Sequence, residues 1–562
     1  MTRNVAPSCA TRVRNVLLSV ASVAIATSFA HALQGPPPLP PPPPPPPGNP
    51  QSPSKTQLGK LLFWDEQLSS TRTRACASCH VPERGGSDPR SDPALLGNVN
   101  PGRDALFATP DDVRGSPGVV ANVASGHYLS SASFGLGTQV TGRKAPSAIN
   151  AAYAPLLFWD GRATGTFRDP LTNAVVLNQG AALESQSAEP PVSAVEMAHD
   201  QRTWTEVADR VVASTPLRLA PSVPAPLSAF VNGRSYPEIF QEVFGTPEVT
   251  PARIAMAIAS YERTQFSNQT PIDQLFGGNP NALTPLEQQG FQLFNSQQAS
   301  CNACHAGNLF TNQAFIYIGV RPPNDDLGRF NITGNPGDRG SMRVPSLRNV
   351  ELRAPYFHDG SKATLEDVID FYDRGGDFNA PNKPPVIRPL GLTQQQKTAL
   401  AAFLRRPLTD ARVAAAQAPF DHPTLYAGSL REPDVYDAAI PGSGGFVPRV
   451  VALAPPDVGN AHFTVGLERA LGGATAFLLI GDSHVPGTGV FGRPRLMPYA
   501  ARVVRVGALD GVGPGNGWTS VVVDLGSDPA LIGMQLFGRW LVRDDGAPAH
   551  VAASQGFVAT YF

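Results

Sequence analysis

Two short cysteine motifs are the residues of this chain whose types and spacing indicate chemistry most directly. One reads Cys76-Ala77-Ser78-Cys79-His80 and the other reads Cys301-Asn302-Ala303-Cys304-His305. The pattern C-x-x-C-H is typical of haem c attachment. Two thiols on one helical turn can both add to the haem vinyl groups, and the following His then lies below the iron. The motifs predict two covalently bound haem c groups, attached at Cys76, Cys79, Cys301 and Cys304 and with His80 and His305 as iron ligands.

A zinc site or a redox-active cysteine pair would explain less of these two motifs than haem attachment does. A structural zinc site would need both pairs to converge on one closed four-ligand centre, and a thioredoxin-like redox pair does not explain a His after each pair. The fifth cysteine, Cys9, lies near the N-terminus. With 5 Cys in 562 residues, a scaffold built on disulfides is also excluded.

The N-terminus has the features of an export signal. Arg3, Arg12 and Arg14 precede an apolar stretch from Val16 to Ala30, and Ala30-His31-Ala32 is a small-x-small cleavage site. Residues 1–32 are therefore predicted to be a secretory signal peptide, with an uncleaved anchor helix as the alternative. No other segment is apolar for long enough to span a membrane. We expect a periplasmic or secreted protein, which suits haem c because attachment occurs outside the cytoplasm.

Composition narrows the class of protein further. The chain is 42% hydrophobic and 16% charged, which supports a folded core. Its 44 Lys and Arg balance 45 Asp and Glu, which argues against nucleic-acid binding. Residues 33–54 are predicted to be a proline-rich linker, because Pro36 to Pro47 is almost pure proline and favours a stiff polyproline II rod. A docking ligand for a partner is the alternative role of this tract.

The approaches to the two haem motifs are alike, which suggests a duplicated module. Gly59-x-x-Leu62-Phe63 precedes the first and Gly290-x-x-Leu293-Phe294 precedes the second. Helices are predicted over 251–263 and after the N-caps Thr284 and Thr364. The expected fold is mainly α, with two class I cytochrome c-like haem domains and a small all-β, sandwich-like C-terminal domain. The predicted ranges are 55–265 for the N-terminal haem domain, 266–427 for the C-terminal haem domain and 428–562 for the β domain.

The prediction of a β domain rests on a change in the sequence pattern after about residue 428. Short alternating or β-branched runs are separated there by turns rich in Gly, Pro and Asp. His462, His484 and His550 lie in this region without the spacing of metal ligands. The predicted strands are 476–480, 501–506, 520–525, 540–543 and 557–562.

Further motifs around the two haem sites resemble those of the bacterial diheme cytochrome c peroxidases and the related diheme enzyme MauG, which oxidises tryptophans of a partner protein. The similarity runs from about Leu58 to Leu408 and leaves out the proline tract and the β domain. Its markers are Leu58-Gly59-Lys60-x-Leu62-Phe63, Ala145-Pro146-Ser147-x-x-Asn150-Ala151-Ala152-Tyr153, Phe158-Trp159-Asp160-Gly161-Arg162, Val195-Glu196-Met197, Val344-Pro345-Ser346-Leu347-Arg348-Asn349-Val350 and Ala354-Pro355-Tyr356-Phe357-His358-Asp359-Gly360.

The resemblance implies roles for three residues. In the family the first haem reacts with peroxide and the second transfers electrons. The distal acid of the Val-Glu-Met motif is here Glu196, and the family's neighbouring Gln corresponds to Gln186. Cleavage of peroxide needs a group that moves a proton between its two oxygens, as a carboxylate can. Trp159 falls in the motif that places an indole between the haems as an electron relay.

The resemblance also bears on the open face of the first haem. Some relatives block that iron at rest with a His in a Gly-His-Gly sequence, and here the comparable stretch is Gly135-Leu136-Gly137. Because Leu cannot bind iron, we expect a first haem that is five-coordinate or water-bound at rest. His127, slightly upstream, is the alternative ligand.

The sixth ligand of the second haem is left open between two residues. Relatives carry a Met in peroxidases and a Tyr in MauG, and that position corresponds here to Tyr372. Leu365, Val368, Ile369 and Tyr372 share one face of a predicted helix, so the phenol is expected to point inward. Met342 is the alternative. A phenolate favours ferric and higher iron, whereas a thioether raises the potential.

Relatives also hold a calcium ion between the haems through an Asn side chain and backbone carbonyls. Here the Asn position is Lys144, which offers no acceptor, and the carbonyl positions correspond to Arg353 and Pro355. Calcium is therefore expected to bind weakly or not at all, with the Lys144 ammonium in its place.

The leading functional hypothesis is an exported diheme peroxidase that reduces hydrogen peroxide. Its electrons would come from a small donor cytochrome c or a cupredoxin. One alternative is a MauG-like oxidase that uses high-valent iron to oxidise a protein or organic substrate. The other is a non-catalytic diheme electron carrier, in which both irons would keep protein ligands.

Overall fold

The computed structural model describes Met1 and residues 39–488, 494–498 and 502–562. Apart from Met1, the predicted signal peptide lies outside these residues. Within them, no helix combines the length and the apolar character needed to cross a membrane.

We call residues 53–265 and 266–427, which each contain one cysteine motif, the two haem-motif regions. They are built mainly from helices and short two-stranded ladders. Their helices are α1 Pro53–Trp64, α2 Cys76–Cys79, α3 Ala182–Ser187, α4 Trp204–Ala213, α5 Ala225–Val231, α6 Tyr236–Phe244, α7 Pro251–Glu262, α8 Pro271–Phe276, α9 Pro285–Phe294, α10 Phe330–Thr333, α11 Leu365–Asp373, α12 Gln394–Leu404 and α13 Ala411–Ala414. Their strands are β1 Val99–Asn100, β2 Val113–Arg114, β3 Pro117–Val120, β4 Thr138–Val140, β5 Phe167–Arg168, β6 Val175–Leu177, β7 Phe315–Ile316 and β8 Met342–Arg343.

Local sequence signals explain where the predicted helices start. Thr284 and Glu287 form a reciprocal capping box at α9, and Thr364 and Asp367 do the same at α11. Each box satisfies backbone N–H groups that the first turn of a helix leaves unpaired. The predicted helices over 251–263 and after Thr284 and Thr364 are confirmed.

Each haem-motif region contains one pair of helices that cross at a glycine. Helix α1 packs on α7 and α9 packs on α12. A Cβ at Gly59 would lie 2.7 Å from the carbonyl carbon of Ala257, and a Cβ at Gly290 would lie 2.7 Å from that of Ala399. The two pairs therefore approach in the same way, which supports the duplication inferred from the sequence.

The described part of the proline tract lies along the body of the protein. Leu39 is buried, and Pro42 and Pro45 are half-buried, a spacing of three that suits a polyproline II helix. Beyond it, the buried Asn49 donates to Glu184 Oε1 at 2.7 Å. Helix α1 begins at Pro53, so the predicted linker range of 33–54 includes the start of the folded body.

The segment after α13 returns to the first haem-motif region. Lys60 Nζ lies 2.9 Å from a carboxylate oxygen of Asp421, and the ring of His422 stacks on Trp64 at 4.1 Å between centroids. The backbone N–H of Ala427 donates to Glu66 Oε1 at 2.9 Å. The predicted range 266–427 thus ends in a segment that packs on the other haem-motif region.

The C-terminal region is a sandwich of antiparallel sheets. One sheet has five strands, in the order 502–506, 476–481, 535–543, 551–560 and 434–436, and the other has three, in the order 449–452, 463–472 and 513–523. Both contribute to one apolar core, and Trp540 Nε1 donates to the Gly466 carbonyl in the facing sheet at 3.1 Å. Its strands are β9 Asp434–Tyr436, β10 Arg449–Ala452, β11 Phe463–Gly472, β12 Ala476–Gly481, β13 His484–Thr488, β14 Pro494–Pro498, β15 Arg502–Val506, β16 Gly513–Val523, β17 Gln535–Arg543 and β18 Val551–Thr560.

Five of these strands overlap the predicted runs. The observed strands are longer at β16, β17 and β18, and residue 501 of the predicted run 501–506 lies outside the described residues. Strand β11 lies outside the predicted runs, although Phe463, Val465 and Leu467 alternate in it with less apolar residues. Its pairing with β16 shifts register between Leu467 and Ala470.

Candidate haem sites

The first cysteine motif opens on a cavity of about 550 Å³. Helix α2 places Cys76 and Cys79 at its wall, and His80 follows directly at the C-cap. The remaining predicted residues of the first site, Glu196, Gln186 and Trp159, line the same cavity. The fold therefore brings both cysteines, His80, Glu196, Gln186 and Trp159 to one cavity.

The imidazole of His80 is oriented by the backbone. Its Nδ1 lies 3.1 Å from the Gly86 carbonyl oxygen, which fixes the proton on Nδ1 and leaves Nε2 free for a metal. Burial lowers the pKa of His80, so the ring is neutral, as an iron ligand must be. Two thiols beside an oriented imidazole on a large cavity fit a covalently attached haem.

The second cysteine motif has the same design in a cavity of about 240 Å³. Cys301 and Cys304 line it, and His305 Nδ1 lies 3.0 Å from the Phe310 carbonyl oxygen. Burial lowers the pKa of His305 to about 4. Both motifs thus fit a haem whose proximal ligand is a neutral imidazole.

Glu196, the predicted distal acid, lies on the wall of the first cavity. It lies just after the Pro190–Val192 turn, and its backbone N–H donates to the Ser193 carbonyl at 3.1 Å. Burial raises the pKa of its carboxyl group, while a hydrogen bond from the Ser193 side chain lowers it in part. With a raised pKa, this carboxyl group takes up a proton at higher pH than an exposed glutamate does, so it can exchange protons with a ligand in the cavity.

Gln186 lies in α3, close to the end of that short helix. It lines the first cavity together with Ser187, Pro190 and Glu196. An amide side chain can both donate and accept hydrogen bonds, so it can orient a small polar molecule in this cavity.

A second carboxyl group in this cavity was missed by the sequence reasoning. Glu262, the last residue of α7, is buried and accepts a hydrogen bond from Ser187 Oγ at 3.2 Å. Burial raises its pKa to about 8. The sequence singled out only the apolar positions of this helix, and nothing in its periodicity marks Glu262 as facing a cavity.

Trp159 and Lys144 stand between the two cavities and line both of them. The indole Nε1 donates to the Lys144 carbonyl oxygen at 2.7 Å, and the Trp159 carbonyl accepts from the backbone N–H of Arg343 at 2.8 Å. The indole is therefore held in one orientation at the boundary of the two candidate haem sites.

Tyr372 and Met342 both line the second cavity. Tyr372 lies near the end of α11 and packs against Phe357 and Phe371, with centroid separations of 6.2 and 5.1 Å. Burial raises the pKa of its phenol. Met342 is buried in strand β8. Both side chains therefore reach the second cavity, and their positions do not distinguish which of them binds the iron.

The loop that carries Leu136 faces the β domain. Leu136 is fully buried in a cluster with Val120, Tyr128 and Val451. His127 is exposed, and its Nδ1 lies 3.1 Å from the Ser520 carbonyl oxygen of strand β16. His127 therefore does not face the first cavity, and its prediction as an alternative iron ligand is wrong in this conformation.

The surroundings of Lys144 do not fit a calcium ion. The side chain is only 4% exposed, and its Nζ lies 2.6 Å from Ser87 Oγ at the boundary of the two cavities. Burial and the nearby Arg353 guanidinium lower the pKa of Lys144 to about 7. The amine of Lys144 offers no oxygen ligand, and the Arg353 guanidinium beside it would repel a divalent cation.

Chelation tests this conclusion. We expect that excess EGTA, followed by added Ca²⁺, leaves the optical spectrum and the peroxide turnover of the holoprotein unchanged within error. Metal analysis of the untreated protein serves as the control and should find no calcium. A loss of turnover in EGTA that Ca²⁺ restores would contradict the assignment of Lys144 to the place of the ion.

Comparisons with known proteins identify the family that the sequence motifs resemble. A family model of the di-haem cytochrome c peroxidases matches residues 53–281. Cytochrome-c peroxidase IdrP1 of Pseudomonas sp. (strain SCT) is 30% identical over 422 residues, which cover 69% of this chain and 90% of that protein. Cytochrome c551 peroxidase of Nitrosomonas europaea is 31% identical, covering 58% of this chain and 74% of that protein.

One further relative is named MauG, and one similar solved structure is described as MauG-like. Methylamine utilization protein MauG of Methylorubrum extorquens is 28% identical over 63% of this chain and 78% of that protein. A crystal structure of a MauG-like protein associated with microbial copper homeostasis is 28% identical, with a TM-score of 0.48 over 68% of this chain and 96% of that one. Since the match to IdrP1 spans nearly all of that protein and the family model covers the first haem motif, this chain belongs to the family of di-haem cytochrome c peroxidases and MauG, and it is an oxidoreductase of the cytochrome c peroxidase type.

Proposed function

We propose that this protein reduces hydrogen peroxide at the His80 haem, with electrons that pass through the His305 haem. The observation that carries the proposal is the arrangement of two C-x-x-C-H cavities, with Trp159 on the wall of both and the half-buried Glu196 on the wall of the first. When bound, each haem supplies an iron that accepts and donates single electrons, and the first offers a coordination position for peroxide.

Glu196 serves as the proton shuttle of the reaction. Its carboxylate takes the proton from the peroxide oxygen that faces the iron and returns it to the departing oxygen, which leaves as water. Gln186 donates a hydrogen bond that orients the peroxide. The raised pKa of Glu196 makes its carboxylate a stronger base than an exposed one, which favours removal of the first proton. The protonated group can then give that proton to the departing oxygen.

The complete reaction consumes two electrons and two protons for each peroxide and yields two waters. The electrons come from a small donor cytochrome c or a cupredoxin and cross between the cavities at Trp159. The Lys144 carbonyl holds the indole, so the relay keeps one geometry during turnover. Mixing the diferric holoprotein with peroxide tests this scheme: we expect a rapid optical change at the His80 haem, whereas an electron carrier with both irons capped by protein ligands would not react.

We also propose that the protein is exported, through cleavage after Ala32, and acts in the periplasm or outside the cell. Residues 55–265 then form the peroxidatic haem domain, 266–427 the electron-transfer haem domain and 428–562 the β domain. The pairs Cys76–Cys79 and Cys301–Cys304 carry the haems through thioether bonds.

A MauG-like oxidation of a protein or organic substrate is the second candidate function. It is favoured by Tyr372, whose side chain lines the second cavity beside His305. A tyrosinate ligand would stabilise ferric and higher iron at the second haem. We propose Tyr372 as that ligand.

Paired substitutions test this ligand. Tyr372→Phe removes the phenolic oxygen and is expected to convert the six-coordinate ferric component of the second haem into a five-coordinate one. Met342→Leu is the matched control, because it removes the alternative donor from the same cavity and should leave the ferric spectrum unchanged. If Met342→Leu changes the spectrum and Tyr372→Phe does not, Met342 is the ligand instead.

A further inference from the structure

A β-hairpin connects the C-terminal β domain to the wall of the first cavity. Strands β3 and β4 pair antiparallel, with Pro117 opposite Val140 and Val120 opposite Thr138, and residues 121–137 form the loop between them. We call residues 117–140 the bridging hairpin. Its strands contact the segment that carries Glu196, and its loop contacts the β domain.

On the cavity side, the strands of the hairpin pack tightly on the backbone around Glu196. Gln139 Nε2 donates to the Ala194 carbonyl oxygen at 2.7 Å. A Cβ at Gly118 would lie 2.8 Å from the Glu196 carbonyl oxygen, so only a glycine allows this approach. The backbone N–H of Asp200 donates to the Asn122 carbonyl at 3.1 Å. The position of the Glu196 backbone thus depends on the hairpin.

The hairpin also contacts the approach to the first cysteine motif. Arg74 Nε donates to the Pro117 and Gly118 carbonyls at 3.1 and 2.9 Å. Arg74 lies two residues before Cys76. One element therefore touches both the haem attachment segment and the acid.

On the other side, the loop is bound by the three-stranded sheet of the β domain. The Leu136 N–H donates to Glu468 Oε2 at 2.6 Å, and the Tyr128 N–H donates to Ser520 Oγ at 3.0 Å. Thr464 Oγ1 donates to the Gly126 carbonyl at 2.9 Å. The bonds to Leu136 and Tyr128 surround a buried apolar cluster that these two residues form with Val451.

We propose that the β domain positions the catalytic acid: through the bridging hairpin, Glu468 and its sheet hold the Glu196 segment against the first cavity. Glu468 is then a positioning residue, since it touches the loop and not the substrate. The inference rests on the proposed function of Glu196. It assigns to the β domain a role in the reaction at the first haem, which neither the sequence pattern nor the family match provides.

Two substitutions at one ion pair test the proposal. Glu468→Ala removes the acceptor of the Leu136 N–H, whereas Arg449→Ala removes only the exposed partner of Glu468, which lies 2.7 Å from its other oxygen. In the holoprotein, we expect Glu468→Ala to slow the reaction with peroxide roughly tenfold or more, since a misplacement of ~1 Å can cost ~10²-fold. Arg449→Ala should react like the wild type. Deuterium exchange over 117–140 and 193–198 should rise in Glu468→Ala alone.

Combination with Glu196→Gln separates positioning from a general loss of stability. If Glu468 acts through Glu196, Glu468→Ala has no further effect in the Glu196→Gln background, whereas a structural defect would slow both backgrounds equally. Ser520→Ala, which removes the bond to Tyr128, provides a milder variant if Glu468→Ala does not fold, and it should show the same dependence on Glu196.

The outcomes distinguish this inference from the proposed function. If Glu196→Gln reacts slowly with peroxide but Glu468→Ala and Ser520→Ala react as fast as the wild type, the positioning role is overturned. The proposed function of Glu196 is then retained. A Glu196→Gln variant that reacts at the wild-type rate overturns the proposed function itself.

Discussion

Replacing Glu196 with Gln is expected to lower the second-order rate constant for the reaction of the diferric protein with peroxide by about 10²–10⁴-fold. Gln keeps the size and a hydrogen bond but cannot carry a proton between the peroxide oxygens. In the wild type the rate constant should fall as the pH falls through the pKa of Glu196, because only the carboxylate accepts a proton. Burial raises that pKa above its ordinary 4.5, so the midpoint should lie above 4.5. Stopped-flow spectroscopy across a pH series measures both effects.

Glu189→Gln is the matched control for this prediction. Glu189 is an exposed carboxylate nearby, and it binds Arg162 Nε at 2.8 Å. Its substitution changes the charge near the cavity without removing the proposed shuttle, so the rate constant should stay within about threefold of the wild type. An unchanged rate in Glu196→Gln, or an acid limb that persists in that variant, would remove Glu196 from the reaction.

Substitution of the two glycines at the helix crossings is expected to cause a large loss of stability. Gly59→Ala and Gly290→Ala each place a methyl group 2.7 Å from a backbone carbonyl carbon of the partner helix, at Ala257 and Ala399 respectively. Neither helix can move away without opening its core, so each substitution should lower the free energy of unfolding by about 3 kcal/mol. Thermal unfolding followed by circular dichroism measures the loss.

Gly507→Ala provides the control for the helix crossings. No atom lies within 4 Å of a Cβ built at Gly507, which lies outside the haem-motif regions. Its unfolding temperature should match that of the wild type. If Gly59→Ala or Gly290→Ala unfolds at the wild-type temperature, the close crossing of these helices is not part of the native packing.

The haem sites were predictable because their chemistry is local in the sequence. Two thiols and an imidazole within five residues define each site without knowledge of the fold. Capping boxes at Thr284 and Thr364 likewise fix helix starts from neighbouring residues. The resemblance to known diheme enzymes located Glu196, Gln186 and Trp159, and the structure places all three on the wall of the first cavity.

Contacts between distant segments were not predictable in this way. Periodicity shows that α7 has an apolar face, but it does not show that Glu262 at its end faces a cavity. The bond between Leu136 and Glu468 joins residues that no local pattern connects, so the role of the β domain stayed open in the sequence. For the same reason, the sequence offered His127 as a ligand, although strand β16 holds it at the surface.

Reduction of peroxide by this protein is tested most directly by a titration of the diferric holoprotein with peroxide in the presence of a reduced donor cytochrome c. The electron balance predicts that two donor molecules are oxidised for each peroxide consumed, with the optical change at the His80 haem reversed as the donor is used. An oxidised state that persists for long periods and is indifferent to the donor would contradict the peroxidase function and support the MauG-like oxidation instead.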